Sequence, residues 1–68
     1  MERKQQKTIG QQLFAERKKS GLTQAKLSQL SGISLFAIAS LEQERSIDAN
    51  TYTLRKLSKA LNNYKFEI

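Results

Sequence analysis

Gly21 and Gly32 constrain this chain more than any other feature, because each interrupts a helical pattern and each is followed two positions on by a hydroxyl residue, Thr23 and Ser34. Glycine enters the left-handed backbone that ends a helix without a Cβ penalty, and a Ser or Thr oxygen accepts an N–H from the first turn of the next helix. The stretch "GLTQAKLSQLSGIS" therefore reads as a short helix between two tight turns. With no proline present, these two glycines and Gly10 are the main punctuation of a 68-residue chain. A chain of that length is one domain, near the lower limit for a core that holds without disulfides, metal or a partner, so oligomerisation is expected.

Local signals divide the chain into four helices. Thr8 can cap the first, which runs to Lys19 with Ile9 and Leu13 on one face and ends at Gly21; Gly10 sits in its first turn at a modest cost. Thr23 caps a second helix carrying Ala25, Leu27 and Leu30, and Gly32 stops it. Ser34 caps a third, in which Ile38 and Leu41 share the inner face while Leu35 and Phe36 begin the other. The pattern breaks over 43–49, read as a loop. Asn50 then caps a fourth helix whose Leu54, Leu57 and Leu61 recur as a buried stripe, with Asn62 and Asn63 ending it.

The tail "YKFEI" changes period: Tyr64, Phe66 and Ile68 fall on one side, Lys65 and Glu67 on the other, which is the alternation of a strand. A lone strand leaves its backbone groups unpaired. The tail of a second copy is therefore expected to pair with it in a two-fold homodimer. The alternative is a frayed tail whose Phe66 folds onto its own helix. The expected architecture is mainly α: a flexible basic arm at 1–7, a four-helix domain at 8–63 and a short C-terminal dimerisation strand at 64–68.

Twelve Lys and Arg against six Asp and Glu give a net charge of +6. That excess suits a nucleic-acid or acidic partner, or serves solubility alone. Without Cys or His the chain has no disulfide, zinc finger or thiol redox site, and it lacks the commonest general base. Its acids are scattered and form no catalytic pair, so no enzyme activity, metal or cofactor is expected. The charged start "MERKQQK" is followed by no apolar run, and no stretch approaches the ~20 apolar residues of a membrane span, so a cytoplasmic protein is expected.

Two short helices around a glycine turn, "TQAKLSQLSGISLFAIASLE", have the layout of a helix-turn-helix, which lays its second helix in the major groove of DNA. Spacing alone fits many helical hairpins. From Ile9 to Leu61, however, the chain resembles the phage-repressor and Cro (XRE) type of helix-turn-helix domain. The matching elements are "IGQQL" and Arg17, "GLTQAKLSQLSGIS", "IASLE" and "TLRKLSKALN".

The resemblance implies double-stranded operator DNA as partner and a role for each matching position. Gln24 falls where the family contacts a phosphate, and Arg17 and Glu42 match a partly buried ion pair between the first and third helices. The base-reading positions fall on Leu35, Phe36, Ala39 and Ser40, with Ser34 beside them. Here the chain departs from the commoner pattern of Gln, Arg, Lys or Asn, because Leu35 and Phe36 cannot form the bidentate hydrogen bonds that identify G or A. Glu44 stands where the family usually has Gly after the third helix, which leaves that turn open to a different geometry. Charge and position add Lys26 and Arg45 as phosphate contacts, with Lys18, Lys19 and the arm residues Arg3, Lys4 and Lys7 as further candidates or plain surface charge.

Three readings of Leu35 and Phe36 stay open: contact with thymine methyl groups, an anchor for a protein, or a helix register that turns Phe36 into the core. Within the family, "GLTQAKLSQLSGIS" and "TLRKLSKALNNYKFEI" look most like the HipB-type antitoxins. That branch implies an autorepressing dimer with a HipA-like kinase toxin as second partner. A stand-alone repressor and an interaction module that has lost DNA binding remain as alternatives.

Overall fold

A computed structural model describes residues 7–45 and 50–67. Over them the chain forms four helices, α1 (Ile9–Lys19), α2 (Gln24–Ser31), α3 (Leu35–Glu42) and α4 (Thr51–Ala60). Most of the expected basic arm, the 46–49 part of the expected loop and Ile68 lie outside the described residues.

Each helix begins where a side-chain oxygen replaces the missing backbone acceptor. Thr8 accepts from Gln11 N while the Gln11 side chain accepts from Thr8 N, a reciprocal capping box. Thr23, Ser34 and Asn50 cap α2, α3 and α4 by accepting from Lys26, Ala37 and Thr53 N–H groups. Left-handed residues make the exits. Gly21, at φ 71°, ends α1 with Leu22 N bonded to Arg17 O and Gly21 N to Lys18 O. The turn between α2 and α3 is held at Ile33, whose N–H donates to Ser31 Oγ and whose carbonyl accepts from Ser28 Oγ.

After α3 the chain keeps the left-handed turn although no glycine is there. Glu44 adopts φ 58°, with Glu44 N bonded to Leu41 O and Arg45 N to Ser40 O. A non-glycine residue in that region costs on the order of 1 kcal/mol or more. The Glu44 carboxylate offsets part of this by accepting from Thr8 Oγ1 at 2.9 Å, which ties the start of α1 to the end of α3.

The core takes one fully buried aliphatic side chain from every helix: Leu13, Leu27, Ile38 and Leu57. Ile33, Leu41 and Leu61 complete it. Burial of each such side chain contributes about 1.5–3 kcal/mol. Of the three apolar residues carried by α2 only Leu27 enters the core: Ala25 is exposed and Leu30 is 55% exposed. The inward stripe is Leu27 with Ser31, one turn apart, so Ala25 and Leu30 fall to either side of it.

The tail departs from the expected strand. Among the described residues there is no strand, and residues 64–67 fold back on their own domain, with Tyr64 and Phe66 packed against the core and their rings edge-to-face at 4.9 Å. Two left-handed residues, Asn62 and Asn63, turn the chain there. The physical reason is Gln12, a buried residue of α1 that acts as the missing neighbouring strand. Its Nε2 donates to Glu67 O and Lys7 O, and its Oε1 accepts from Glu67 N and the Tyr64 hydroxyl. Two donors and two acceptors saturate the amide. Burial, then the Glu16 and Glu67 carboxylates, push the Tyr64 pKa up, which keeps its hydroxyl proton in place.

Gly10 turns out to be required rather than merely tolerated. A Cβ there would collide with the Leu41 carbonyl oxygen and come within 3.0 Å of Glu44 Cγ, so α1 and α3 cross with backbone nearly touching. Gly10→Ala is expected to destabilise by about 1–3 kcal/mol through overpacking, outweighing the roughly 1 kcal/mol gain in helix propensity. The midpoint of urea unfolding measures it, and a more stable variant would refute the close crossing.

Candidate nucleic-acid interface

The surface formed by α2 and α3 is braced by a single guanidinium. Arg17, in the third turn of α1, donates from Nε to Glu42 Oε2 at 2.6 Å and from one terminal nitrogen to Glu42 Oε1 at 2.9 Å. Its other terminal nitrogen donates to Leu22 O in the turn before α2. Glu42 Oε1 also accepts from Gln24 Nε2 at 3.0 Å, so α1, its following turn, α2 and α3 meet in one network. The side chains of Arg17 and Glu42 are 9% and 5% exposed. The hydrogen bond to Glu42 raises the Arg17 pKa, outweighing the opposite effect of burial, so the guanidinium stays charged. Phe14 lies beside it, with the Arg17 guanidinium 5.4 Å and the Lys18 ammonium 5.9 Å from the ring centre.

This scaffold presents the first turn of α3 outward. Ser34 is exposed, Leu35 is 47% and Phe36 71% exposed, and Ala39 is half-buried. A register that buries Phe36 is thereby ruled out. Ser40 is a correction: it was expected among the outward reading positions, but it is buried, at 4% exposure. It lies in the last turn of α3, on the residue before buried Leu41, and its carbonyl accepts from Arg45 N.

The sequence-matched cations are at the surface. Lys26 on α2 and Arg45 after α3 are exposed, as are Lys18 and Lys19 at the end of α1. The backbone of Arg45 is fixed by its bond to Ser40 O, immediately after the left-handed Glu44. Gln24 is half-buried at the start of α2, with one amide hydrogen committed to Glu42. Of the tail residues expected at a dimer contact, Tyr64 and Phe66 are half-buried against their own core.

Sequence reasoning missed Gln12, Ser28 and Ser31, polar residues whose partners are backbone atoms brought near only by the fold. No local pattern marks them. No helix is long and apolar enough to cross a membrane, and no cluster of metal-binding side chains occurs, both among the described residues.

A family model described as helix-turn-helix matches residues 13–68 of the chain. None of the curated proteins compared with it matches.

Removing one partner of the buried bridge strands the other charge. Glu42→Ala is expected to cost about 3–5 kcal/mol, whereas replacing both partners together, Arg17→Met with Glu42→Leu, should recover most of that loss. Chemical unfolding of the three proteins tests this; equal stability of Glu42→Ala and the parent would remove the bridge from the account.

Proposed function

The chain belongs to the XRE/Cro-type helix-turn-helix family, a family of DNA-binding transcription regulators, and on that premise we propose that it is a sequence-specific repressor that lays α3 in the major groove of double-stranded DNA. The observation that carries this reading is the outward first turn of α3, whose helix is anchored at its other end by the Arg17–Glu42–Gln24 network. Gln24 has a second amide hydrogen for a phosphate at the N-terminus of α2, where the helix dipole favours an anion. Lys26 on α2 and Arg45 after α3 supply further phosphate contacts. Ser34 borders it, and Leu35, Phe36 and Ala39 form its apolar face. Arg3, Lys4 and Lys7 of the basic arm are further candidates for phosphate contact.

The working unit is a homodimer, which spaces two reading helices by about 34 Å, one turn of duplex. Among the described residues the backbone groups of Lys65 and Phe66 have no partner, an edge that suits the tail of a second copy, with Tyr64 and Phe66 packed against the core beside it. The resemblance of "GLTQAKLSQLSGIS" and the tail to HipB-type antitoxins makes a cytoplasmic autorepressor that also restrains a HipA-like kinase our more specific proposal. A kinase reading frame beside this gene and co-purification of its product would support it over a stand-alone repressor. Exposed Leu35 and Phe36 favour one competing reading, a protein-interaction module without DNA binding.

Gel-shift titration against the upstream duplex at two salt concentrations separates these readings. Affinity should fall by about 0.9 log unit per log unit of salt for each phosphate neutralised. Gln24→Ala and Arg45→Ala should weaken binding on every sequence, whereas Phe36→Ala should mainly blur site preference. No shift even in dilute buffer would refute the repressor reading in favour of the interaction module.

Sedimentation velocity tests the assembly. The parent should sediment as a dimer at micromolar concentration, and Phe66→Asp should shift it toward monomer. A monomer throughout the concentration series would remove the tail-paired dimer.

A further inference from the structure

From the outer face of α3 we infer that the protein reads the C5-methyl group of pyrimidines whichever base carries it, so that 5-methylcytosine substitutes for thymine at the contacted positions. This deepens the proposed DNA reading and rests on it.

Thymine and cytosine differ in the major groove at two places. Thymine offers an O4 acceptor and a C5-methyl, while cytosine offers an N4 donor and a C5 hydrogen; 5-methylcytosine combines the N4 donor with the methyl group. Telling thymine from 5-methylcytosine therefore needs a hydrogen-bonding side chain, whereas telling either from cytosine needs only an apolar one.

The exposed turn of α3 has the second kind and lacks the first. Leu35 and Phe36 are the exposed side chains there, and Ala39 lies one turn on from Leu35. The polar neighbours are buried, held by other groups or set at the edge of the turn. Ser40 is buried, and both Glu42 oxygens, which would otherwise suit the cytosine N4 donor, are held by Arg17 and Gln24. The Ser34 hydroxyl oxygen accepts from Ala37 N and keeps a single O–H at the N-cap, before the apolar turn begins. Gln43 caps the far end of the helix, whereas helix-turn-helix readers contact bases with N-terminal residues. What remains is a surface that gains free energy by covering a methyl and, apart from the one Ser34 hydroxyl at its border, has no side chain to ask what else the ring carries.

A randomised pool of duplexes selected by the purified protein in dilute salt supplies a bound sequence. That sequence is then remade three ways at the selected thymines: with deoxyuridine, which lacks only the methyl; with cytosine paired to guanine; and with 5-methylcytosine paired to guanine. Deoxyuridine should weaken binding about fourfold for each contacted methyl and about tenfold or more when both half-sites are changed. Cytosine should weaken it similarly, and 5-methylcytosine should restore most of the loss. With Leu35→Ala and Phe36→Ala together, the four duplexes should bind alike; both residues are exposed, so the core is left intact.

Deoxyuridine bound as tightly as thymine, 5-methylcytosine bound no better than cytosine, or a methyl preference that survives the double substitution would each overturn the inference while leaving DNA binding in place. A pool that yields no bound duplex overturns the repressor reading itself, and the methyl inference with it.

Discussion

The Arg17–Glu42 bridge is the contact on which the rest of this domain depends. Stability comes mainly from the aliphatic cluster of Leu13, Leu27, Ile38 and Leu57, but aliphatic contacts are non-directional and tolerate rotation of one helix over another. A planar guanidinium bonded to both oxygens of one carboxylate does not. With its remaining hydrogen bond on Leu22 O, and with Gln24 sharing Glu42, Arg17 sets the angles among α1, α2 and α3 together. Desolvating both charges offsets much of their attraction, so the bridge is better understood as a setting of orientation than as a source of stability.

The helix boundaries were legible in the sequence because they are decided within a few residues. Thr8, Thr23, Ser34 and Asn50 each cap the helix they precede, and Gly21 and Gly32 take the left-handed turns their positions call for. What was not legible depends on distant partners. Gly10 looks like a weak spot in α1 until α3 is laid across it, and Ser40, which the resemblance matches to a base-reading position, is buried in the folded domain. Alternation in the tail correctly marked one apolar side, but not what lies opposite the backbone, because a glutamine in place of a strand leaves no periodic trace. Glu44 shows the reverse case: an unsuitable residue keeps a turn that its neighbours impose, held by a hydroxyl from the far end of α1.

Charge and apolar surface divide the proposed task between them. Lysines and arginines act through phosphates, which every duplex has, and so contribute attraction without choice. Leu35 and Phe36 contribute little until a complementary groove floor removes them from water. Fixing Arg45 directly after the strained Glu44 turn adds a geometric consequence, since the cation's backbone is anchored to α3 itself and moves with it.

Gln12 carries a different implication. Its primary amide spends both hydrogens and both lone pairs on Lys7, Tyr64 and Glu67, below the protein surface. Pulling the final segment away would strand those valences in a place water does not reach, at on the order of 1–3 kcal/mol for each orphaned group. The segment is therefore open to annexation along its outer border but resists exchange: a neighbour can lengthen the hydrogen-bonded row, yet swapping tails between copies would have to rebuild the same three bonds to Gln12.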